Sequence, residues 1–364
     1  MKYFPKLENK SIDMIMPRIE IDLGKIIHNA QTLKELYGAK GIDVIAVTKV
    51  VCGDPVIAKV LAKSGIAILA DSRMANIVKM RNASIHVRFL LLRTPPSRSE
   101  SVVKYADVSL NSEFSVIKEL SKYAVEQDTT HKVILMVELG DLREGLMPPD
   151  LENTVKKVIK MKGIRLAGIG TNLACFGGIK PDDEKMGYLS ALAKAIEKKF
   201  GLALEFVSGG NSANYNWFMC TNDVGKINNL RLGESIFLGC ETLGRKPIPG
   251  LFTDAFTLFA EVIESKIKPS KPYGDVYQDA FGNIPDYTDR GLMSRVILGL
   301  GLQDVVVAGL TPMLDIDIFG ASSDHIIIDA KQSIIKVGDS VEFNLNYGAL
   351  LSAMTSPYIK KVYT

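Results

Sequence analysis

One lysine interrupts the apolar run 42-IDVIAVTKVVCGD-54 near its downstream end. An ammonium at a partly desolvated strand end loses hydration and gives up its proton more easily. A neutral amine is what a Schiff base with an aldehyde requires, so Lys49 is a candidate nucleophile. A lysine that merely snorkels to solvent from the strand end is the plainer alternative. Further along, 207-VSGGNSAN-214 is small and polar. Its Gly209 and Gly210 let backbone N–H groups approach a ligand, and Ser212 adds a hydroxyl. In 230-LRLGESIFLG-239, Arg231 and Gly233 stand at the end of another apolar run. Two neighbouring glycine-bearing polar loops suit a phosphate, although each alone is also an ordinary steric turn.

Other polar groups follow apolar runs in the same way. In 138-ELGDLREGLMP-148, Arg143 lies between glycines, and a solvated arginine paired with Glu144 is the plainer account of it. In 170-GTNLACFGG-178, Asn172 and Cys175 come after a run, and no histidine is placed to activate the thiol. His28, His86, His131 and His325 are scattered, which gives no support to a metal cluster or a Ser/His triad.

The elements that must position these residues alternate. From residue 19 to about 240, short apolar runs such as IDVIAVTK, AILADS, HVRFLLL and HKVILMVELG are each followed by an amphipathic helical stretch or a polar loop. About eight such repeats predict a (β/α)8 barrel of the TIM type, with a doubly wound sheet as the competitor. In a barrel, functional residues sit at the carboxyl ends of strands, where Lys49, Arg143, Asn172, Ser212 and Arg231 all fall. After residue 240, strands such as FTLFAEVIESKI, SRVILGLGL and VEFNLNY are separated by turn formers. The expected division is therefore a barrel over 1–244 and a smaller all-β domain over 245–364, with the boundary in GRKPIPG.

Composition narrows the classes. Apolar residues make up 47% and charged residues 23% of the 364, with a net charge of +3. That is ordinary for a globular chain, and the absence of a basic stripe with aromatics argues against nucleic acid. No apolar run reaches the ~20 residues needed to cross a bilayer. The opening MKYFPKLENKSIDMIMPRIE, with its prolines and acids, does not read as a signal peptide. Four cysteines without a CxxC pair read as reduced thiols of a cytoplasmic protein.

Taken in order, these strings resemble the alanine racemase family, the fold-type III enzymes that use pyridoxal phosphate. RIEIDLGKIIHNA resembles the family's opening helix, AVTK its cofactor-lysine strand, NSA and LRLG its late barrel loops, and NLNYGALLSAMTSPY the end of its β-domain. AVTKVVCGDP, SGGNS, INNLRLGE and ASSDH look most like the ornithine racemase branch. The resemblance implies a racemase of a free amino acid, ornithine or another basic one. An alanine racemase, a noncatalytic pyridoxal phosphate carrier, and an aldolase or decarboxylase of the same fold type are the alternatives. The about 120 residues after the barrel argue against the carrier.

Roles follow from the resemblance position by position. Lys49 would carry pyridoxal phosphate and serve as one of two proton-transfer bases. Arg143 would bond the cofactor's phenolic oxygen, and Arg231 would face its pyridine nitrogen. Asn172 stands where the family usually has a histidine beside the ring. Ser212, the amides around Gly233 and Tyr347 would hold the phosphate. The family's tyrosine four residues after the lysine is Gly53 here, and Glu234 replaces an apolar residue. In 269-PSKPYGDVYQDAFGN-283, Tyr273 falls on the tyrosine that serves as second base from a partner subunit, with Tyr277 and Asp279 as fallbacks. A homodimer with shared sites is implied. Glu144, Glu234 and Asp279 are the candidate carboxylates for a cationic side chain, and no metal is expected.

Overall fold

The computed structural model describes residues 16–284 and 286–364, so most of the opening stretch read for a leader lies outside the described residues. The chain forms two compact units: Leu23–Thr253, and Asp254–Thr364 joined by the N-terminal segment through Asp22.

The first strand, β1 (Arg18–Ile21), precedes α1 (Leu23–Gly38). The barrel strands follow: β2 (Asp43–Val47), β3 (Ile68–Asp71), β4 (Arg88–Leu91), β5 (Val108–Asn111), β6 (His131–Met136), β7 (Ile164–Gly170), β8 (Phe206–Ser208) and β9 (Asn229–Leu232). They pair in parallel, in sequence order, and β9 closes on β2 through Asp43↔Asn229 to Ala46↔Leu232. The predicted (β/α)8 architecture is therefore the observed one. Ile45, Ile68, Leu90, Leu110, Ile134 and Phe206 belong to one buried cluster within the barrel.

Local sequence explains the helices between the strands. These are α2 (Pro55–Lys63), α3 (Met74–Asn82), α4 (Ser99–Tyr105), α5 (Phe114–Glu126), α6 (Pro148–Val158), α7 (Asp183–Phe200), α8 (Tyr215–Cys220) and α9 (Glu234–Leu238). Asp54 caps α2 by accepting from the N–H groups of Val56 and Ile57 at 3.0 and 3.2 Å, with Pro55 in the first turn. Such a cap contributes about 1 kcal/mol and fixes where the chain leaves the Lys49 turn. In α5 the buried residues Val116, Ile117, Leu120 and Ala124 lie on one helical face. Gly201 closes α7 in the left-handed conformation, as a helix C-terminus favours.

In the second unit, β10 (Phe256–Pro269) is the long central strand. It pairs antiparallel with β11 (Leu292–Leu298), with a register shift between Val262 and Glu264, and its upstream residues Leu258–Glu261 pair antiparallel with β15 (Ser340–Leu345). With β12 (Leu310–Pro312), β13 (Asp317–Ala321), β14 (Ile326–Asp329) and β16 (Lys360–Tyr363), the sheet runs β12-β15-β10-β11-β14-β13, with β1 branching from β10 and β16 pairing with β1. One helix, α10 (Tyr347–Thr355), belongs to this unit.

Two expectations are corrected. RIEIDLGKIIHNA is not one helix: its first four residues are β1, antiparallel to β10 and parallel to β16. Alternation of half-buried Arg18 and Glu20 with fully buried Ile19 and Ile21 is a strand period. The break at 244/245 also differs from the observed units, since GRKPIPG stays with the barrel. There Glu241 accepts from the N–H groups of Leu243, Gly244 and Lys246, and Ile248 N–H bonds Gly239 O at 2.8 Å. A turn-rich string thus closes a loop instead of linking two bodies.

Candidate active site

Lys49 opens the short 3₁₀ turn Lys49–Val51 directly after β2, and it is half-buried. Thr48, fully buried, anchors that turn by donating from Oγ1 to Asp71 Oδ2 at 2.8 Å. Asp71 ends β3, accepts from Arg73 N–H and Asn76 Nδ2, and has its pKa pushed up by burial. A cleft of about 550 Å³ opens at the carboxyl ends of β2 to β6, lined by Lys49, Thr94, Asn111, Met136, Arg143 and Glu144 among others. Arg143 is exposed and donates to Glu144 and to Cys175 Sγ. The hydrogen bond to Glu144 holds the guanidinium pKa above its ordinary value. Asp141, 1% exposed, gathers the neighbouring loop by accepting from the N–H groups of Cys175, Phe176 and Gly177.

A second group of residues lies at the ends of β7, β8 and β9. Arg231 is 4% exposed and donates only to neutral oxygens: Ser208 Oγ, Thr171 O at 2.7 Å and Asn172 Oδ1 at 3.3 Å. Burial pulls its pKa down to about 10, so it stays cationic near neutral pH. Asn211 Nδ2 also donates to Asn172 Oδ1, at 3.1 Å, and Asn172 Nδ2 is buried without an acceptor. Ser212 Oγ lies 3.0 Å from Ser235 Oγ and accepts from Ser235 N–H. Gly233 caps α9, and a Cβ there would approach Val47 O to 3.2 Å. Glu234 is 8% exposed and paired with Arg245, while burial pushes its pKa up.

The structure thus brings Lys49 and Arg143 into one cleft, links Arg231 with Asn172, and sets Ser212 against the turn that begins at Gly233. Tyr273 and Tyr347 belong to the β unit. Tyr347 opens α10 behind the cap Asn346, and Tyr273 is 94% exposed. Tyr277 is exposed as well, and Asp279 is tied up in its own loop by Phe281 N–H and Asn283 N–H. Sequence reasoning missed Asn211, Ser208, Asp71 and Asp141. Asp71 had a signal, a carboxylate ending an apolar run, but the others are read only once their strand ends are brought together.

The pattern for "Alanine racemase, N-terminal domain" matches residues 21–240. The chain is 41% identical to an ornithine racemase of Acetoanaerobium sticklandii, covering 95% of this chain and 99% of that one. It is 40% identical to a lysine racemase of Thermotoga maritima, covering 96% and 99%. The structure is similar to that of an alanine racemase from Streptomyces coelicolor A3(2), with a TM-score of 0.76 and 17% identity over 97% of this chain and 100% of that one.

Proposed function

We propose that this chain, which belongs to the alanine racemase family and is an amino acid racemase, interconverts the L- and D-forms of a free basic amino acid, ornithine first. The observation that carries the reading is Lys49, set at the end of β2 in the cleft it shares with Arg143. The two relatives that align over nearly the whole chain are racemases of basic amino acids by name, which supports the substrate class.

The residues present fit pyridoxal 5'-phosphate. A buried cation that donates only to neutral oxygens, an orphaned amide Nδ2 beside it, and a small-residue turn with a serine pair are what an aromatic nitrogen base with a phosphate arm would use. Lys49 would hold the cofactor covalently through Nζ. Arg143 would donate to the phenolic oxygen, Arg231 to the ring nitrogen, and Asn172 would stand beside the ring. Ser212, the amides around Gly233 and Tyr347 would hold the phosphate. When bound, the cofactor supplies an electron sink that makes the α-proton of an amino acid removable.

The protein's own groups then decide the stereochemical outcome. Lys49 Nζ removes or returns the α-proton on one face. Inversion needs a second proton carrier on the other face, and Tyr273 Oη of a second copy takes that role, its near-complete exposure leaving it available to a neighbour. Arg231 is a poor proton donor, so beside the ring nitrogen it would leave that nitrogen unprotonated and would restrict side reactions. The active species is a homodimer with shared sites. Its four cysteines carry no disulfide, in keeping with a cytoplasmic location, and among the described residues no helix is long and apolar enough to cross a membrane.

The test is chemical. Borohydride reduction of the purified yellow protein followed by peptide mapping is expected to place the label on Lys49, and a label on another lysine overturns the assignment. Loss of optical rotation, screened over ornithine, lysine, arginine, alanine and serine, is expected to favour a basic amino acid. A preference for alanine over all three basic ones defeats the substrate class.

A further inference from the structure

The three carboxylates that stood as candidates for a cationic side chain are already engaged. Glu144 accepts from Arg143, Glu234 from Arg245, and Asp279 from its own loop. Among the cleft's buried side-chain atoms, those left unmatched are a pair of neutral oxygens. Asn111 is 5% exposed and Thr94 is 9% exposed, and Asn111 Oδ1 and Thr94 Oγ1 are buried with no hydrogen-bond partner. Both residues line the cleft that Lys49 lines. Folded chains rarely leave such atoms unmatched, because their lost hydration is then uncompensated.

The orientation of the Asn111 amide is fixed from below. Asn111 Nδ2 donates to Ser109 O at 3.1 Å and to Ser109 Oγ at 2.9 Å. Ser109 Oγ lies 2.8 Å from Nε2 of His131, which is 2% exposed and held neutral by burial. Both amide hydrogens of Asn111 are thus turned toward Ser109, which leaves Asn111 with only an acceptor to offer.

Position and surroundings say what would approach. Thr94 follows β4 and Asn111 ends β5, and in the ring of eight strands these stand across from β8 and β9, whose loops carry Ser212 and Gly233. Leu92, Leu110 and Met136 line the same cleft and offer apolar wall to methylene groups. Arg73, Arg93 and Glu113 also reach it, but all three are exposed, where water and salt screen their charge.

We infer that this β4–β5 wall is the side-chain subsite, in which Asn111 Oδ1 and Thr94 Oγ1 accept hydrogen bonds from the primary ammonium at the far end of an unbranched alkyl chain. The methylenes lie along Leu92, Leu110 and Met136. The inference deepens the racemase reading and rests on it for the α-carbon end of the substrate.

The experiment compares ornithine with norvaline, which has the same carbon skeleton without the distal amine, and with glutamate. It uses the holoenzyme and two readouts, calorimetric binding and racemisation rate. The wild-type protein is expected to prefer ornithine. Asn111→Leu and Thr94→Val are each expected to lower the ornithine-to-norvaline ratio in both readouts by about ten- to a hundredfold, the range for losing a hydrogen bond to a charged group. Asn111→Asp keeps the acceptor and adds a negative charge, and it is expected to raise the ratio, which also decides the matter if Asn111→Leu does not fold. A purely structural asparagine would lower both amino acids alike, and that result, an unchanged ratio, or a preference for glutamate overturns the subsite. The two readings separate. Ornithine turnover with an unchanged ratio sinks the subsite alone. Selective ornithine binding that the variants abolish, with no turnover of any amino acid, sinks the racemase reading alone.

Discussion

His131 shows how a single residue ties stability to pH in this barrel. It is 2% exposed, and burial lowers its pKa from 6.5 to about 4. The unfolded chain therefore binds a proton at higher pH than the folded one. The contribution of a neutral His131 is complete above about 6.5 and is lost as pH falls from there toward 4. The difference corresponds to on the order of 3 kcal/mol. Urea unfolding between pH 7 and pH 4 is expected to show this loss, and His131→Gln is expected to flatten that part of the curve. An unaltered slope in the variant would move the acid sensitivity to other groups. At this scale the sequence was readable where a residue broke its own local pattern. Lys49 stands out because it interrupts an apolar run, and Arg231 because it sits inside LRLG. Asn111 and Thr94 break nothing: asparagine and threonine at strand ends are common, and their unmatched oxygens arise only when two strand ends meet.

The elements carry the departures from the family pattern. Gly53 stands where the resemblance implies a tyrosine, and its backbone explains why no side chain stands there. Its φ is +55°, and a Cβ would lie 2.6 Å from Asn76 Cβ on α3. Asn76 cannot easily withdraw, since its Nδ2 donates to Asp71 at 3.0 Å. Gly53→Ala is expected to destabilise the chain by about 2–4 kcal/mol, the sum of left-handed strain and overpacking, read from the midpoint of chemical unfolding. A variant as stable as the wild type would show that the turn between β2 and α2 can relax. Element types were legible wherever period and punctuation agreed, as in the β2 run followed by Asp54-Pro55. They were lost where tertiary pairing decided. RIEI reads as the first turn of the helix that follows it until β10 and β16 supply its hydrogen-bond partners. The strands β12 and β13 are short, and α4 and α8 are one or two turns, too little chain to show a period.

At the scale of the whole molecule, the proposed chemistry asks for more than one chain. A racemase must move protons on both faces of the α-carbon, and in the proposed scheme Lys49 would serve one. The remaining candidates sit on the loop between β10 and β11, where Tyr273 is 94% and Tyr277 78% exposed. Asp279 is the weakest of the three, because its carboxylate already accepts from the N–H groups of Phe281 and Asn283, and these bonds hold its pKa below the ordinary range. An exposed tyrosine loses nothing by being covered, and a second copy that seats this loop over a barrel mouth would bury the phenol beside charged groups. Two outcomes follow. Activity per chain is expected to fall on dilution as dimers dissociate, checked by light scattering alongside the rate, and a fully active monomer would end the shared-site proposal. Tyr273→Phe, assayed separately with each enantiomer in deuterated water, is expected to slow racemisation by orders of magnitude. One enantiomer should still exchange its α-proton through Lys49 while the other does not. That asymmetry is the signature of a lost base on one face, since a general loss of fold or cofactor would silence both. Near-normal turnover of both enantiomers would pass the role to Tyr277, whose Tyr277→Phe variant would then be expected to show the same one-sided exchange.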